Sequence, residues 1–139
     1  MGYWKYKGKE IRSLEDIPEG AYGFIYRAHH LPSDRYYIGK KILEFHRTLP
    51  PLKGENKKRK VIKESDWKDY YGSHKEIKKI VKEGRQEEFS REILLFVFSK
   101  KLLTYYETKY LFLEGVIEPG SKYINDNVEA RYFRRDFEG

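Results

Sequence analysis

The sequence predicts an α/β fold of the α+β sandwich type: a small, mostly antiparallel central sheet flanked by helices. Three observations carry this. Gly23-Phe24-Ile25-Tyr26 and Tyr36-Tyr37-Ile38-Gly39 enclose a polar stretch with the turn signal Pro32-Ser33-Asp34, and Tyr-, Ile- and Phe-rich runs around such a turn read as an antiparallel hairpin. Phe89–Phe98 ends in an unbroken apolar run, whose length and aromatic content favour a buried central strand. From Ser99 the period becomes helical, with Leu103, Tyr106, Tyr110 and Leu113 on one stripe, Ser99 as cap and Gly115 as stop.

The other elements follow in order. Tyr3–Tyr6 and Lys9–Arg12 flank Lys7-Gly8 and form a small N-terminal strand pair or turn. Ser13 caps a helical turn that Pro18 and Gly20 end. Lys40–Arg47 either continues the second strand of the hairpin or begins a helix, and Pro50-Pro51 stops both. Lys53–Lys60 reads as a polar, basic loop. Ser65-Asp66 starts a helix, Gly72 interrupts it, and Ser73–Glu76 restarts one with a capping box. Ile77, Ile80 and Val81 give that helix its apolar stripe, and Gly84 closes it. The tail has a turn at Pro119-Gly120 and polar and aromatic segments beyond it.

At 139 residues the chain is expected to be one domain. Within it, residues 1–20 form an N-terminal extension, 48–65 a basic insertion and 116–139 a C-terminal tail. A net charge of +7 favours a polyanionic partner, with nucleic acid ahead of a membrane surface. The 13 tyrosines suit strands and stacking on bases. With no cysteine, a disulfide scaffold or disulfide-linked partner, a thiolate zinc site and a cysteine nucleophile are excluded. No apolar run is long enough to span a bilayer, so a cytoplasmic protein without a membrane partner is expected.

Alternation puts Phe24 and Tyr26 on one face of the first strand and Tyr37 and Gly39 on one face of its partner, an arrangement in which two phenols can meet across the pair. A phenol holds, donates or accepts a proton beside a phosphate. Phe24-Ile25-Tyr26 and Tyr37-Ile38-Gly39, at this spacing, resemble the paired tripeptides of the GIY-YIG nuclease family. The Gly of the first tripeptide is replaced by Phe24, with Gly23 one step early. Trp67–Ser73 resembles a segment of phage-encoded members. The resemblance spans about residues 23–127 and implies a metal-dependent DNA endonuclease, free-standing or homing-like, in a phage-infected bacterial cell.

Glu107 shares a helix face with Leu103 and Tyr110. A carboxylate there reaches water, pairs with Lys100 or Lys101, or binds metal. The resemblance implies that Glu107 holds one Mg2+ or Mn2+ ion and that Asn125, with Asn127 as the alternative, braces the site; an Asx turn is the other reading of Asn125. Tyr26 would deprotonate or orient the attacking water, with Tyr37 in support. A free phenol titrates near ~10, so a Tyr base needs nearby cations, and the local lysines are expected to provide them. The family's usual Arg, on a helix after the second motif, falls at Arg47. If the strand runs on instead, Lys41 joins Arg47 on the face of Tyr37, and Arg59 is a third candidate. DNA contacts are expected from Lys57, Lys58, Arg59 and Lys60 and from Arg131, Arg134 and Arg135, all in basic runs. The alternative is a non-catalytic nucleic-acid-binding module on the same fold.

Overall fold

The computed structural model describes residues 2–138. Its central sheet has five strands: β1 (Trp4–Tyr6), β2 (Lys9–Ile11), β3 (Gly23–His30), β4 (Arg35–Ile42) and β7 (Phe89–Val97). They lie in the order β2-β1-β7-β3-β4. Only the β1–β7 pairing is parallel, so the sheet is mostly antiparallel with β7 at its centre. Two helices flank it, α1 (Lys75–Lys82) and α2 (Lys100–Leu113). A separate ribbon is formed by β5 (Glu44–Leu49) and β6 (Arg59–Glu64), and the tail closes with the short pair β8 (Asn127–Val128) and β9 (Tyr132–Phe133). No helix among the described residues is long and apolar enough to cross a membrane.

Each face of the sheet buries its own core. On one face Trp4, Phe24, Tyr26, Ile93 and Phe96 pack with Trp67 and with Ile77 of α1. On the other, Ile25, Ile38 and Val97 pack with Leu103 and Leu111 of α2 and with Val116 and Val128. The register between β3 and β7 slips between Ile25 and Tyr26, leaving Leu94 as the extra residue of a bulge. Past it the alternation of β7 reverses, so Phe96 rather than Leu95 joins Phe24.

Several local signals resolve differently from the expectation, each for a visible reason. The ambiguous 40–47 segment is strand throughout, broken at Leu43, which is buried and whose N–H donates to the Tyr22 carbonyl at 3.0 Å. The helix expected at Ser65-Asp66 shrinks to a single 3-10 turn, Trp67–Asp69. The Asp66 carboxylate pairs with Lys41 instead of capping that turn. The capping residue of α1 is His74, not Ser73: its ring accepts the Glu76 N–H, while the Ser73 hydroxyl bonds to Tyr37. The basic loop ends at Arg59, where β6 starts.

β4 is an edge strand, and the tail covers part of that edge. The Tyr36 N–H donates to the Lys122 carbonyl at 2.8 Å, and the Ile124 N–H donates to the Tyr36 carbonyl at 2.6 Å. One step on, the Asn125 amide replaces a strand: Oδ1 accepts from the Ile38 N–H at 3.1 Å and Nδ2 donates to the Ile38 carbonyl at 2.9 Å. Both bonds are buried, so Asn125→Ala leaves two backbone groups unpaired. We expect it to lower stability by about 1–3 kcal/mol, measurable by urea denaturation.

Candidate active site

The site begins with the pairing of Tyr26 on β3 against Gly39 on β4. Directly paired residues share a face, and the Tyr26 phenol lies across the backbone of Gly39. A Cβ built on Gly39 would lie 2.6 Å from Cζ of Tyr26 and closer still to the hydroxyl. Only glycine admits the ring in this position. Trp4 and Phe24 hold the same ring edge-on, with centroids 5.2 and 6.2 Å away. Gly23 is required by a different close approach: a Cβ there would strike the Lys41 carbonyl and come within 3.1 Å of Leu103. The glycine one step early in the first motif therefore lets the hairpin meet α2.

Tyr37 is on the same face, 6.2 Å from Tyr26 between ring centroids. Its hydroxyl bonds to the Ser73 hydroxyl at 2.8 Å. Tyr70 stands edge-on to Tyr26 at 6.0 Å. Lys41 closes this side, with Nζ 4.0 Å from the Tyr70 ring centroid and 2.5 Å from Asp66 Oδ1. Burial, then the neighbouring Tyr70 and Tyr37, then Glu107, hold Tyr26 well above the ordinary phenol value of 10.0. Tyr37 and Tyr70 are also pushed up, chiefly by burial. The direction is opposite to the one expected from nearby lysines: burial dominates, and Lys41 is engaged with Asp66 and Tyr70.

A cavity of about 370 Å³ straddles the outer edge of β4. Tyr37, Ser73 and His74 wall it from one face, Lys40 and Glu107 from the other, and Asn125, Asp126 and Glu129 from the tail. Glu107 stands on α2, with its side chain 19 % exposed. Its nearest cation is Lys40, with Nζ 3.6 Å from Oε1; Lys100 and Lys101 are not its partners. Burial raises the Glu107 carboxyl above its ordinary value of 4.5, Lys40 opposes that shift, and Glu129 adds to it. Lys40 also donates to the Thr104 hydroxyl at 3.1 Å. His74 accepts a backbone N–H at Nδ1, so its proton is on Nε2, which donates to Asp126 Oδ2 at 2.7 Å.

A family model described as "Putative endonuclease segE, GIY-YIG domain" matches residues 4–130. The chain belongs to the GIY-YIG endonuclease family. Comparison with curated proteins and with solved structures gave no significant match. The α/β architecture, with a central multi-stranded sheet and two helices, is that of the GIY-YIG fold. Membership implies a nuclease acting on DNA, and GIY-YIG nucleases generally use divalent metals.

Of the expected site residues, Tyr37, Glu107 and Asn125 wall the cavity, Tyr26 packs against Tyr37, and Lys41 lies outside the wall against Tyr70 and Asp66. Arg47 is not with them. Of the two readings of this segment the structure has the strand, β5, in place of the family's usual helix, and Arg47 is exposed there opposite Val61. Arg59 is exposed on β6 and donates to the Pro50 carbonyl at 3.3 Å. Lys57, Lys58 and Lys60 are exposed on the same arm. Arg131 and Arg135 are exposed in the tail, but Arg134 is committed to the carbonyls of Asn125, at 3.0 Å, and Tyr123. That engagement leaves Arg134 a brace for the tail rather than a free DNA contact. Lys40, Tyr70 and Ser73 were missed. Lys40 directly follows the second motif, and the alternation that put Lys41 beside Tyr37 sent Lys40 to the face of α2.

Among the described residues no cluster of three or more acidic, His or Cys side chains is arranged to hold an ion. Beside Glu107 the cavity wall carries the Asp126 and Glu129 carboxylates and the Tyr37 and Ser73 hydroxyls, and oxygen is the ligand type preferred by Mg2+ and Mn2+. One protein carboxylate, with water and substrate phosphate completing the shell, fits such an ion. A larger cavity of about 680 Å³ lies elsewhere, beside Trp4, Tyr71 and Arg91. Arg91 is engaged there with the backbone carbonyls of Gly2, Lys68 and Tyr70.

Proposed function

We propose that the chain is a divalent-cation-dependent DNA endonuclease that hydrolyses phosphodiester bonds at the edge of β4. The reading rests on one observation: a largely buried carboxylate, Glu107, shares a polar cavity with the Tyr37 hydroxyl and the Lys40 ammonium. Glu107 would hold the ion, which when bound supplies Lewis acidity to a phosphate oxygen. Lys40 offsets charge developing on the phosphate. Tyr36 and Ile38 turn their backbone groups outward to the tail. By the same alternation the Lys40 N–H faces outward and offers a phosphate oxygen a further donor.

Tyr26 and Tyr37 act as neutral phenols. They orient the attacking water and the phosphate by hydrogen bonding, since burial opposes their ionisation. Lys41 positions Tyr70 and, through Asp66, the turn that carries it. Asn125 fixes the strand edge on which Tyr37 and Lys40 stand. Lys57, Lys58, Arg131 and Arg135 contact the phosphate backbone without reading sequence. We read residues 1–139 as a single nuclease domain.

The test is plasmid cleavage with Mg2+ or Mn2+ and an EDTA control. Ion-dependent nicking or linearisation supports the reading; salt-dependent DNA binding without cleavage supports a binding module. The presence of β5 in place of the usual Arg helix is the feature that favours that second reading.

The Glu107 environment also predicts a titration with a defined sign. Its native carboxyl is raised above 4.5, so it contributes stability at low pH that is lost as pH rises through that raised value. Carboxyl-carbon NMR of the metal-free protein should place its midpoint above 4.5. Lys40→Met should move that midpoint further up and Glu129→Gln should move it down, because the two neighbours act in opposite directions.

A further inference from the structure

The ribbon of β5 and β6 stands apart from the central sheet. β6 is exposed along its whole length and β5 along most of it. A lone two-stranded hairpin is marginally stable in water, yet this one presents Phe45, Val61 and Ile62 to solvent. Its register sorts the charges. Phe45, Arg47 and Leu49 share a face with Arg59, Val61 and Lys63, and that face has three cations and no acid. The reverse face sets Glu44 against Glu64 at its base and holds one lysine, Lys60. Among the described residues, Arg47, Arg59 and Lys63 form no ion pair.

The roots of the ribbon continue from β4, the strand that carries Tyr37 and Lys40 into the cavity. β5 follows β4 after the single residue Leu43, and β6 returns through Ser65-Asp66 toward Tyr70. The two roots are clamped together. The Ser65 N–H donates to the Leu43 carbonyl at 2.8 Å, its hydroxyl donates to the Ile42 carbonyl at 2.6 Å, and Lys41 pairs with Asp66. The direction of the ribbon is therefore tied to the strand that carries Tyr37 and Lys40.

We propose that this ribbon enters the major groove of duplex DNA, with the face of Arg47, Arg59 and Lys63 turned toward the nucleic acid, and so sets the duplex on the cavity. Six-residue strands span about 20 Å. The major groove, about 12 Å wide, admits a two-stranded ribbon, whereas the minor groove, about 6 Å wide, does not. The unbalanced cations complement phosphate walls, and two guanidinium groups match the paired acceptors of guanine. The apolar side chains between them find thymine methyls and sugar edges in place of water. The function assigned to the ribbon rests on the nuclease reading of the cavity, but the DNA contact does not require cleavage.

The test is fluorescence anisotropy of a labelled duplex oligonucleotide in EDTA over a NaCl series, paired with dimethyl sulfate probing of guanine N7 in the major groove. The triple variant R47A/R59A/K63A should lose about tenfold or more in affinity, and its log–log salt slope should fall by about 2–3. N7 protection seen with the unmodified protein should disappear in it. Arg47→Ala alone, a single exposed change that leaves the hairpin pairing intact, should lower the slope by about one. Thr48→Ala on the reverse face should change neither quantity. An unchanged slope in both Arg variants, or no N7 protection by the unmodified protein, overturns the ribbon and leaves the cavity reading standing. If the plasmid is never cleaved while the triple variant loses binding and protection, the cavity reading falls and the ribbon stands.

Discussion

Glu107→Ala is expected to abolish cleavage, with a loss of about a thousandfold or more in rate, while duplex binding in EDTA stays within a factor of about two. Removing one preorganised electrostatic group costs about 10²–10³-fold, and here the group lost is also the anchor for the ion. Binding is spared because none of the cations proposed to grip the backbone, on the ribbon and in the tail, pairs with Glu107. The fold is spared because Glu107 is burdened by burial, with only Lys40 and no backbone group among its partners. Full activity in this variant, assayed on plasmid, would remove the metal-site assignment.

Gly39→Ala is the second large effect, and here the loss reaches both stability and rate. The added methyl enters space filled by the Tyr26 ring. That ring is packed against Trp4, Phe24 and Tyr70 and has no free direction in which to retreat. Overpacking of this kind costs about 1–3 kcal/mol, or a fall in Tm of about 2–4 °C per kcal/mol for a domain of this size. Cleavage should fall with it, because the hydroxyl is displaced from the strand edge. Tyr26→Phe separates the two effects: it keeps the ring, should leave Tm nearly unchanged, and should still lower the rate by about a hundredfold. A Gly39→Ala protein as stable and active as the original would mean that the phenol does not need this seat.

The parts of the site written in short-range pattern were legible in the sequence. The shared face of Tyr26 and Tyr37 follows from the alternation of the hairpin strands, the central strand from the apolar run at Phe89–Phe98, and the position of Glu107 from the stripe on α2. What was not legible depended on long-range contacts. Nothing local to Arg47 tells β5 from a helix; pairing with Arg59–Glu64 decides it, across a tip that reads as loop. Lys40 and Lys41 are adjacent and chemically alike, and only the helix on one face and the Trp67–Asp69 turn on the other tell them apart. Tyr70 and Ser73 were seen as part of a segment resembling phage-encoded nucleases, but their contact with the hairpin needs the folded chain. The upward shift of the phenols was likewise hidden, because it comes chiefly from burial, which a count of neighbouring lysines does not register.

The most direct measurement of the central claim is paramagnetic broadening by Mn2+ in the NMR spectrum of the DNA-free protein. The account predicts that low Mn2+ concentrations first broaden the amide signals of Lys40, Glu107 and Asn127, which surround the cavity, and that Glu107→Gln removes this selectivity. Broadening centred elsewhere, or unchanged in Glu107→Gln, would contradict it.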